Sequence, residues 1–321
     1  MKRVLFVGLF LVGFALAQDS TAIRQEIKTL MEHNKFTAAQ KILELHKDKP
    51  NALYYLSVIH MIIGEIDQAI DLAEKGLQKS DEKAKFYELL GDIYAVKAQN
   101  SGMLSLMFVV PKIKKNWKKA LREDPRRLSV RQKLFSFYLM APGFAGGDAD
   151  QALKMARETL PIDSLHGMVM LGQYYQQQEQ PEKAEQYFVQ AERMATALDS
   201  TGVLREVGYF YLRAKNYPLA KKVFERIRQR HPKDPFAYDN LADYYLKTDR
   251  KDSALVMLQK AEQLAPDNVN IRFKRARVLA DLGKFEEARV LAQRLLKEEM
   301  FFGLRKQIEI FIKEMKQKTA R

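Results

Sequence analysis

The chain has 321 residues, of which 47% are hydrophobic, so it is long enough to bury a sizeable core. Its 54 lysines and arginines exceed its 40 aspartates and glutamates and give a formal net charge of +14. There are no cysteines, which excludes disulfides, thiolate metal sites, a cysteine nucleophile and the lipid-accepting cysteine of a bacterial lipoprotein. Helix formers dominate and long alternating strand patterns are absent, so the sequence predicts an all-α protein.

The first residues are typical of an export signal. Two cations precede an apolar run over 4–14, and Ala15-Leu16-Ala17 provides a small-x-small cleavage site. We therefore predict a signal peptide over 1–17 and a mature protein in the bacterial periplasm or beyond. The alternative is an uncleaved anchor, which the shortness of the apolar run disfavours.

A small residue recurs where two antiparallel helices would approach each other closely. In most units it is an alanine, and the markers are Ala39, Ala69, Ile113, Ala152, Ala184, Ala220, Ala254 and Ala288. The register is clearest near the C-terminus, where Gly208, Ala220 and Pro232 are followed 34 residues later by Ala242, Ala254 and Pro266. This pattern resembles the tetratricopeptide repeat, in which large apolar residues fill the gap between two helices and proline stops the second. The resemblance implies an α-solenoid of about eight helix pairs with a C-terminal capping helix.

No linker or low-complexity tract divides the chain, and stacked pairs share their cores, so we predict one solenoid over 18–321. The predicted pairs span 20–49, 51–79, 82–124, 127–160, 164–197, 201–232, 235–267 and 269–299, and a capping helix follows over 301–318. The third pair contains an insertion at 97–111. In the eighth pair, Arg272 and Arg275 occupy positions that are normally apolar, so we expect a looser end unit.

The inserted segment 101–110 contains no charged residue. Its apolar residues fall at helical spacing, which predicts a lengthened second helix that begins near Ser101 and kinks at Pro111. One interpretation is that its apolar face packs on the neighbouring pair. The other is that the segment is exposed and contacts a partner or a membrane surface, with lysines following directly. The contact residues of this second interpretation are Met103, Leu104, Leu106, Met107, Phe108, Lys112, Lys114 and Lys115.

The most distinctive stretch is the sequence Ala-Pro-Gly-Phe-Ala-Gly-Gly-Asp over 141–148. It resembles a turn found in a group of secreted bacterial tetratricopeptide repeat proteins. Pro142 ends a helix, Gly146 and Gly147 permit positive φ or close approach, and Asp148 caps the next helix. A glycine turn before a helix can also hold an anion, but this one follows a helix and lacks the Lys-Ser/Thr of a P-loop, so a structural turn is favoured.

Patterns that assemble catalytic chemistry are absent from the sequence. We predict no enzyme activity, no cofactor and no metal, because no nucleophile motif, Walker motif, dinucleotide motif or histidine ligand pair occurs. We interpret the histidines as surface or turn residues; they are His33, His46, His60, His166 and His231. Nucleic-acid binding is disfavoured, because the basic residues are spread over the helices and export is predicted.

In the tetratricopeptide repeat family, the first helices of successive pairs line a concave groove that holds a peptide or a partner helix. The resemblance implies a groove formed by His166, Gln173, Gln176, Gln177, Arg205, Tyr209, Leu212, Arg213, Phe236, Asp239, Asp243, Leu246, Lys247, Phe273 and Arg277. The Lys/Asn clamp of chaperone-binding members is missing, since Arg205 and Tyr209 occupy its positions. The alternative is that Tyr209 and Phe273 merely pack between pairs.

Our leading functional hypothesis is therefore an exported, non-catalytic scaffold that binds a protein or peptide partner in this groove. The alternative is a membrane-peripheral tether that acts through 101–119.

Overall fold

The computed structural model describes residues 23–319, except the side chains of residues 103 and 104, and the predicted signal peptide over 1–17 lies outside this range. The regular structure of the described residues is helical throughout, with one 3₁₀ turn at Gly143–Ala145. Helix α1 includes residues 23–32. The others are α2 (Phe36–Glu44), α3 (Pro50–Ile63), α4 (Ile66–Lys79), α5 (Lys83–Gln99), α6 (Met103–Glu123), α7 (Leu128–Met140), α8 (Ala149–Thr159), α9 (Ser164–Gln177), α10 (Pro181–Ala197), α11 (Thr201–Arg213), α12 (Tyr217–Arg230), α13 (Pro235–Lys247), α14 (Lys251–Leu264), α15 (Val269–Asp281), α16 (Phe285–Leu295) and α17 (Phe302–Thr319).

Each helix packs against the next in sequence, so the chain forms hairpins that stack into an α-solenoid, as predicted. Odd-numbered helices come first in each pair, even-numbered helices come second, and α17 follows the eighth pair. In the C-terminal half, one hydrophobic core runs without interruption from Leu165 on α9 to Met315 on α17. No pair in this half buries its apolar face alone.

The two helices of a pair approach each other closely where one of them has a glycine, which carries no side chain. A Cβ atom on Gly208 of α11 would lie 2.3 Å from the ring of Phe224 on α12. A Cβ on Gly91 of α5 would lie 2.3 Å from the indole of Trp117 on α6. These distances are far inside van der Waals contact, so a larger residue at either position would push the two helices apart.

The third pair is the longest, because its inserted residues extend both of its helices. Helix α5 has 17 residues and α6 has 21, and α6 continues through Pro111. The N-cap of α6 is Gly102, next to the predicted start near Ser101, and the Ser101 hydroxyl donates to the carbonyl of Lys97 instead of capping α6. No helix within residues 23–319 combines the length and the apolarity needed to cross a membrane.

The turn between α7 and α8 uses its glycines as the sequence predicts. Gly146 has a φ of +91°, and a Cβ on Gly147 would lie 1.7 Å from the carbonyl oxygen of Ala141. The Asp148 carboxylate caps α8 by accepting the backbone N–H of Gln151 at 3.0 Å. The sequence therefore specifies this turn by backbone requirements alone.

The expectation of a looser eighth pair is wrong. Arg272 forms ion pairs with Glu262 and with Glu298, and Arg275 forms an ion pair with Glu262 at 2.6 Å. These arginines lie at apolar positions of the repeat because carboxylates on both sides neutralise them. Helix α17, the predicted capping helix, then covers the pair with Ile308, Phe311, Ile312 and Met315.

The two ends of the solenoid meet, which nothing in the sequence predicted. The His33 ring lies 3.0 Å from the Asp267 carboxylate, and the Thr37 backbone N–H donates to Glu299 at 2.9 Å. A Cβ on Gly64 would lie 3.0 Å from the ring of Phe302. The first two pairs thus contact the ends of the seventh and eighth pairs and the start of α17, so the stack winds round until it reaches itself.

Candidate protein-binding groove

The inner wall of the solenoid contains hollows between successive first helices. The α11/α13 hollow has a volume of about 530 Å³. Its lining residues are Tyr209, Leu212, Arg213, Lys215, Tyr217, Asp243, Leu246 and Lys247. Several of these were predicted to line a groove, and the structure brings them together around one cavity.

Three cations line the α11/α13 hollow without an ion pair among the described residues. They are Arg213, Lys215 and Lys247, and all three side chains are exposed. The walls of the hollow nevertheless desolvate the Arg213 guanidinium and lower its pKa, with Glu206 acting weakly in the opposite direction. A cation of this kind, exposed and without an ion pair among the described residues, can form a charge-assisted hydrogen bond with a carboxylate of a partner.

One carboxylate of the hollow, Asp243, belongs to a cluster that is already neutralised. Lys274 on α15 reaches across to α13 and lies 2.7 Å from Asp239 and 3.0 Å from Asp243. The Tyr209 hydroxyl donates to Asp243 at 2.7 Å. Burial lowers the pKa of Lys274, but the two carboxylates outweigh that effect and raise it. Lys274 therefore stays protonated and holds the inner wall together in this region.

Known proteins match both the repeats and the fold. Residues 169–235 and 245–301 each match a family model described as Tetratricopeptide repeat. The chain contains tetratricopeptide repeats. A search of curated protein sequences found no match.

Three solved structures are similar to this chain at low sequence identity. Yeast Tom70 is 15% identical with a TM-score of 0.61, and the alignment covers 90% of this chain but only 60% of Tom70. A tetratricopeptide repeat protein from Parabacteroides merdae is 16% identical with a TM-score of 0.48, covering 83% of this chain and 98% of that one. A thermophilic tetratricopeptide repeat protein from Thermus thermophilus is 18% identical with a TM-score of 0.41, and the alignment covers 72% of this chain and 99% of that one. The Tom70 match shows that the fold of this chain is a tetratricopeptide repeat solenoid.

Two further predicted groove residues lie together on the inner wall of the sixth and seventh repeats. The Arg205 guanidinium lies over the ring of Phe236, with its carbon 5.4 Å from the ring centroid. Phe236 is 41% exposed, and Arg277 on the next first helix is exposed without an ion pair among residues 23–319. These side chains extend the polar and aromatic surface beside the α11/α13 hollow.

Phe273 does not belong to the groove. Its side chain is only 7% exposed and makes an edge-to-face contact with Phe311 of α17, with ring centroids 5.4 Å apart. The capping helix covers this position, and a ligand cannot reach it. The alternative prediction, that Phe273 is a packing residue, is therefore correct, although its partner is α17, which has no equivalent between the internal repeats.

The predicted residues of the fifth repeat divide between two places. His166 and Gln173 line a second hollow of about 410 Å³ between α7, α9 and α11, where the Gln173 amide donates to Glu206 at 3.2 Å. Gln176 lines a different hollow together with residues of α10 and α11. Gln177 is exposed at the end of α9. The fifth repeat therefore does not form one continuous binding surface with these four side chains.

The N-terminal half contains an equivalent of the Lys274 cluster that was not predicted from the sequence. Lys133 on α7 reaches back to α5 and lies 2.7 Å from Glu88 and 2.6 Å from Asp92. Burial opposes ionisation of Glu88, but bonds from Lys133 and Arg127 outweigh it and lower the pKa of Glu88. Burial raises the pKa of Asp92 despite Lys133 and the Trp117 N–H.

A signal for both clusters was present in the repeat register. Glu88 and Asp239 each stand three residues before the small residue of their helix, Gly91 or Ala242. Asp92 directly follows Gly91, and Asp243 directly follows Ala242. Aligning the third repeat with the seventh would have revealed the shared acid pair, since both pairs occupy the same face of a first helix.

One histidine differs from the predicted surface location. His60 is 3% exposed, and its Nδ1 lies 2.6 Å from the Glu65 carboxylate, which begins the turn after α3. This contact is local to the second repeat and bears on its stability. Among residues 23–319, no three histidine or carboxylate side chains are arranged to hold a metal ion.

Proposed function

We propose that the protein is an exported, non-catalytic scaffold that binds an extended segment of a protein partner in the α11/α13 hollow. Tetratricopeptide repeats are generally protein-interaction modules, and the solenoid of this chain supplies the inner wall they use. The observation that carries the proposal is the set of three cations, Arg213, Lys215 and Lys247, that line this hollow without carboxylate partners among the described residues.

The lining of the hollow indicates what the bound segment carries. Arg213 offers paired N–H donors to a carboxylate, and Lys247 adds a second positive charge. Leu212, Leu246 and Tyr217 supply apolar area beside these charges. We therefore expect a segment in which an aspartate or glutamate is next to an apolar side chain.

Export and the absence of catalysis belong to the same proposal. Export to the periplasm or beyond rests on residues 1–17, and mass spectrometry of the natural protein tests it, because cleavage leaves Gln18 as the first residue. The non-catalytic role rests on the sequence, which contains no motif that combines a nucleophile, a base and an orienting group.

Selection of binding peptides from a displayed library tests the hollow directly. Peptides selected on the parent protein should contain acidic residues, and their affinity should fall about tenfold or more for Arg213→Glu/Lys247→Glu. The matched control is Lys221→Glu/Lys222→Glu, which reverses two exposed charges on the second helix α12 and should leave the affinity unchanged.

Fluorescence anisotropy gives the dissociation constants of both variants. Equal affinity for the hollow variant and the parent would show that the peptides bind elsewhere and would remove the proposed site. Equal weakening by both double variants would show that only net charge matters.

A further inference from the structure

The first half of α6 exposes large apolar side chains that no other part of the described chain covers. Met107 is 73% exposed and Phe108 is 76% exposed. The opposite face of α6 is buried through Val109, Ile113 and Trp117. The packing interpretation is therefore confirmed for one face of α6, and the opposite face is exposed to solvent, as the second interpretation requires. Leu106 is half-buried between them.

A second exposed apolar element lies against α6. The turn at Gly143–Ala145 packs on α6, and a Cβ on Gly146 would lie 3.0 Å from the Lys114 ammonium. Phe144 at the centre of this turn is 91% exposed, and Met140 just before it is 77% exposed. The distinctive Ala-Pro-Gly-Phe-Ala-Gly-Gly-Asp stretch therefore places an aromatic ring in solvent beside α6, close to Lys114.

The lysines that follow the apolar part of α6 have no carboxylate partner among residues 23–319. They are Lys112, Lys114, Lys115, Lys118 and Lys119. Four of them lie over aromatic rings, with the Nζ of Lys119 being 4.9 Å from the Tyr87 ring centroid and that of Lys112 being 5.1 Å from that of Tyr94. No acidic residue occurs in α6 before Glu123, so this surface carries charge of one sign.

We infer that this tip surface, formed by Met107, Phe108, Met140 and Phe144 with the five lysines, binds the surface of an anionic phospholipid bilayer. The apolar side chains protrude, as insertion among lipid tails requires, whereas a protein partner would need a matching concavity for each one. The unpaired lysines complement anionic headgroups and lie at the base of the apolar group. The contact is peripheral and independent of the α11/α13 hollow.

Site-specific fluorescence tests the insertion, because the natural chain has no cysteine. Phe108→Cys and Phe144→Cys, each labelled with an environment-sensitive dye, should shift to shorter emission wavelengths when vesicles containing phosphatidylglycerol are added. Leu198→Cys, at a 67% exposed apolar position outside the tip surface, should not shift. All three proteins share the same N-terminus, so residues 1–17 cannot produce the difference.

Charge dependence is the second measurement. Lys112→Gln/Lys115→Gln should weaken binding to phosphatidylglycerol vesicles roughly tenfold to thirtyfold at low salt, because each lysine near an anionic surface contributes about fivefold. Lys221→Gln/Lys222→Gln on α12 is the matched control and should change binding little. Three results would each overturn the inference: no shift at either tip position, an equal shift at 198, or equal binding to vesicles of phosphatidylcholine alone. Binding of a purified protein partner at the tip with no vesicle response would assign the surface to protein recognition.

Discussion

The two carboxylate–lysine clusters of the inner wall occupy equivalent repeat positions but are neutralised differently. In the N-terminal cluster, Glu88 has two cationic partners, Arg127 and Lys133. In the C-terminal cluster, Asp239 has one ion pair among the described residues, the contact with Lys274 at 2.7 Å. The same repeat geometry therefore holds a pair of carboxylates whether the first carboxylate has two cationic partners, as Glu88 does, or one, as Asp239 does. The singly neutralised cluster also lies beside the α11/α13 hollow.

The largest expected effect is a difference in stability between substitutions of Lys274 and Lys133. Lys274→Met should lower the free energy of unfolding by about 3 kcal/mol, because it removes the only ion-pair partner that the partly buried Asp239 and Asp243 have among the described residues. Lys133→Met should cost about 1 kcal/mol, because Arg127 still neutralises Glu88 and the Trp117 N–H still bonds Asp92. Urea unfolding of both variants measures the difference. Equal losses would mean that the extra partners of the N-terminal cluster contribute nothing.

The second-largest expected effect on stability concerns the Tyr209 hydroxyl, which donates a hydrogen bond to the C-terminal cluster. Tyr209→Phe should cost about 1 kcal/mol, since it removes the 2.7 Å hydrogen bond to Asp243 and keeps the ring. Tyr245→Phe is the matched control on α13 and should be nearly neutral, because the Tyr245 hydroxyl has no hydrogen bond within the described residues. Thermal unfolding followed by circular dichroism compares the two. A neutral Tyr209→Phe would show that Lys274 alone stabilises Asp243.

The smallest effect is a difference in pH dependence. The pKa of Glu88 is below its ordinary 4.5, so its stabilising contribution is present above pH 4.5 and is lost as pH falls through its folded-state pKa. Burial raises the pKa of Asp239 above its ordinary 3.8, although Lys274 offsets part of that effect. Its favourable contribution is therefore present below pH 3.8 and is lost as pH rises through its folded-state pKa.

Two isosteric variants reveal these opposite signs. As pH falls from neutral towards 4, the stability advantage of the parent over Glu88→Gln should shrink, and its stability relative to Asp239→Asn should rise. Each change should be about 1 kcal/mol or less. Urea unfolding at both pH values measures them, and parallel slopes for the two variants would contradict the assigned directions.

The sequence predicted most features that depend on neighbouring residues along the chain. Helix pairing follows from small residues such as Gly208 and Ala220, and the turn after α7 follows from Gly146, Gly147 and Asp148. These features require particular residue types at particular backbone positions, and such requirements are visible without a structure.

Features that depend on how one repeat is rotated against the next could not be predicted. Lys133 and Lys274 each bridge two first helices, and their reach depends on the twist between repeats. Phe273 is covered because α17 folds back on the eighth repeat, which the internal repeat pattern does not encode.

The meeting of the two ends changes how the stability of this solenoid is distributed. In an open array, deleting a terminal repeat removes one interface, and distant repeats do not respond. Here, deleting residues of the first repeat would also free Asp267 and Glu299, and loss of Gly64 would leave the Phe302 ring without its contact. Repeats separated by more than 200 residues of sequence therefore stabilise one another, and the molecule should unfold more like a closed domain than like a row of independent units.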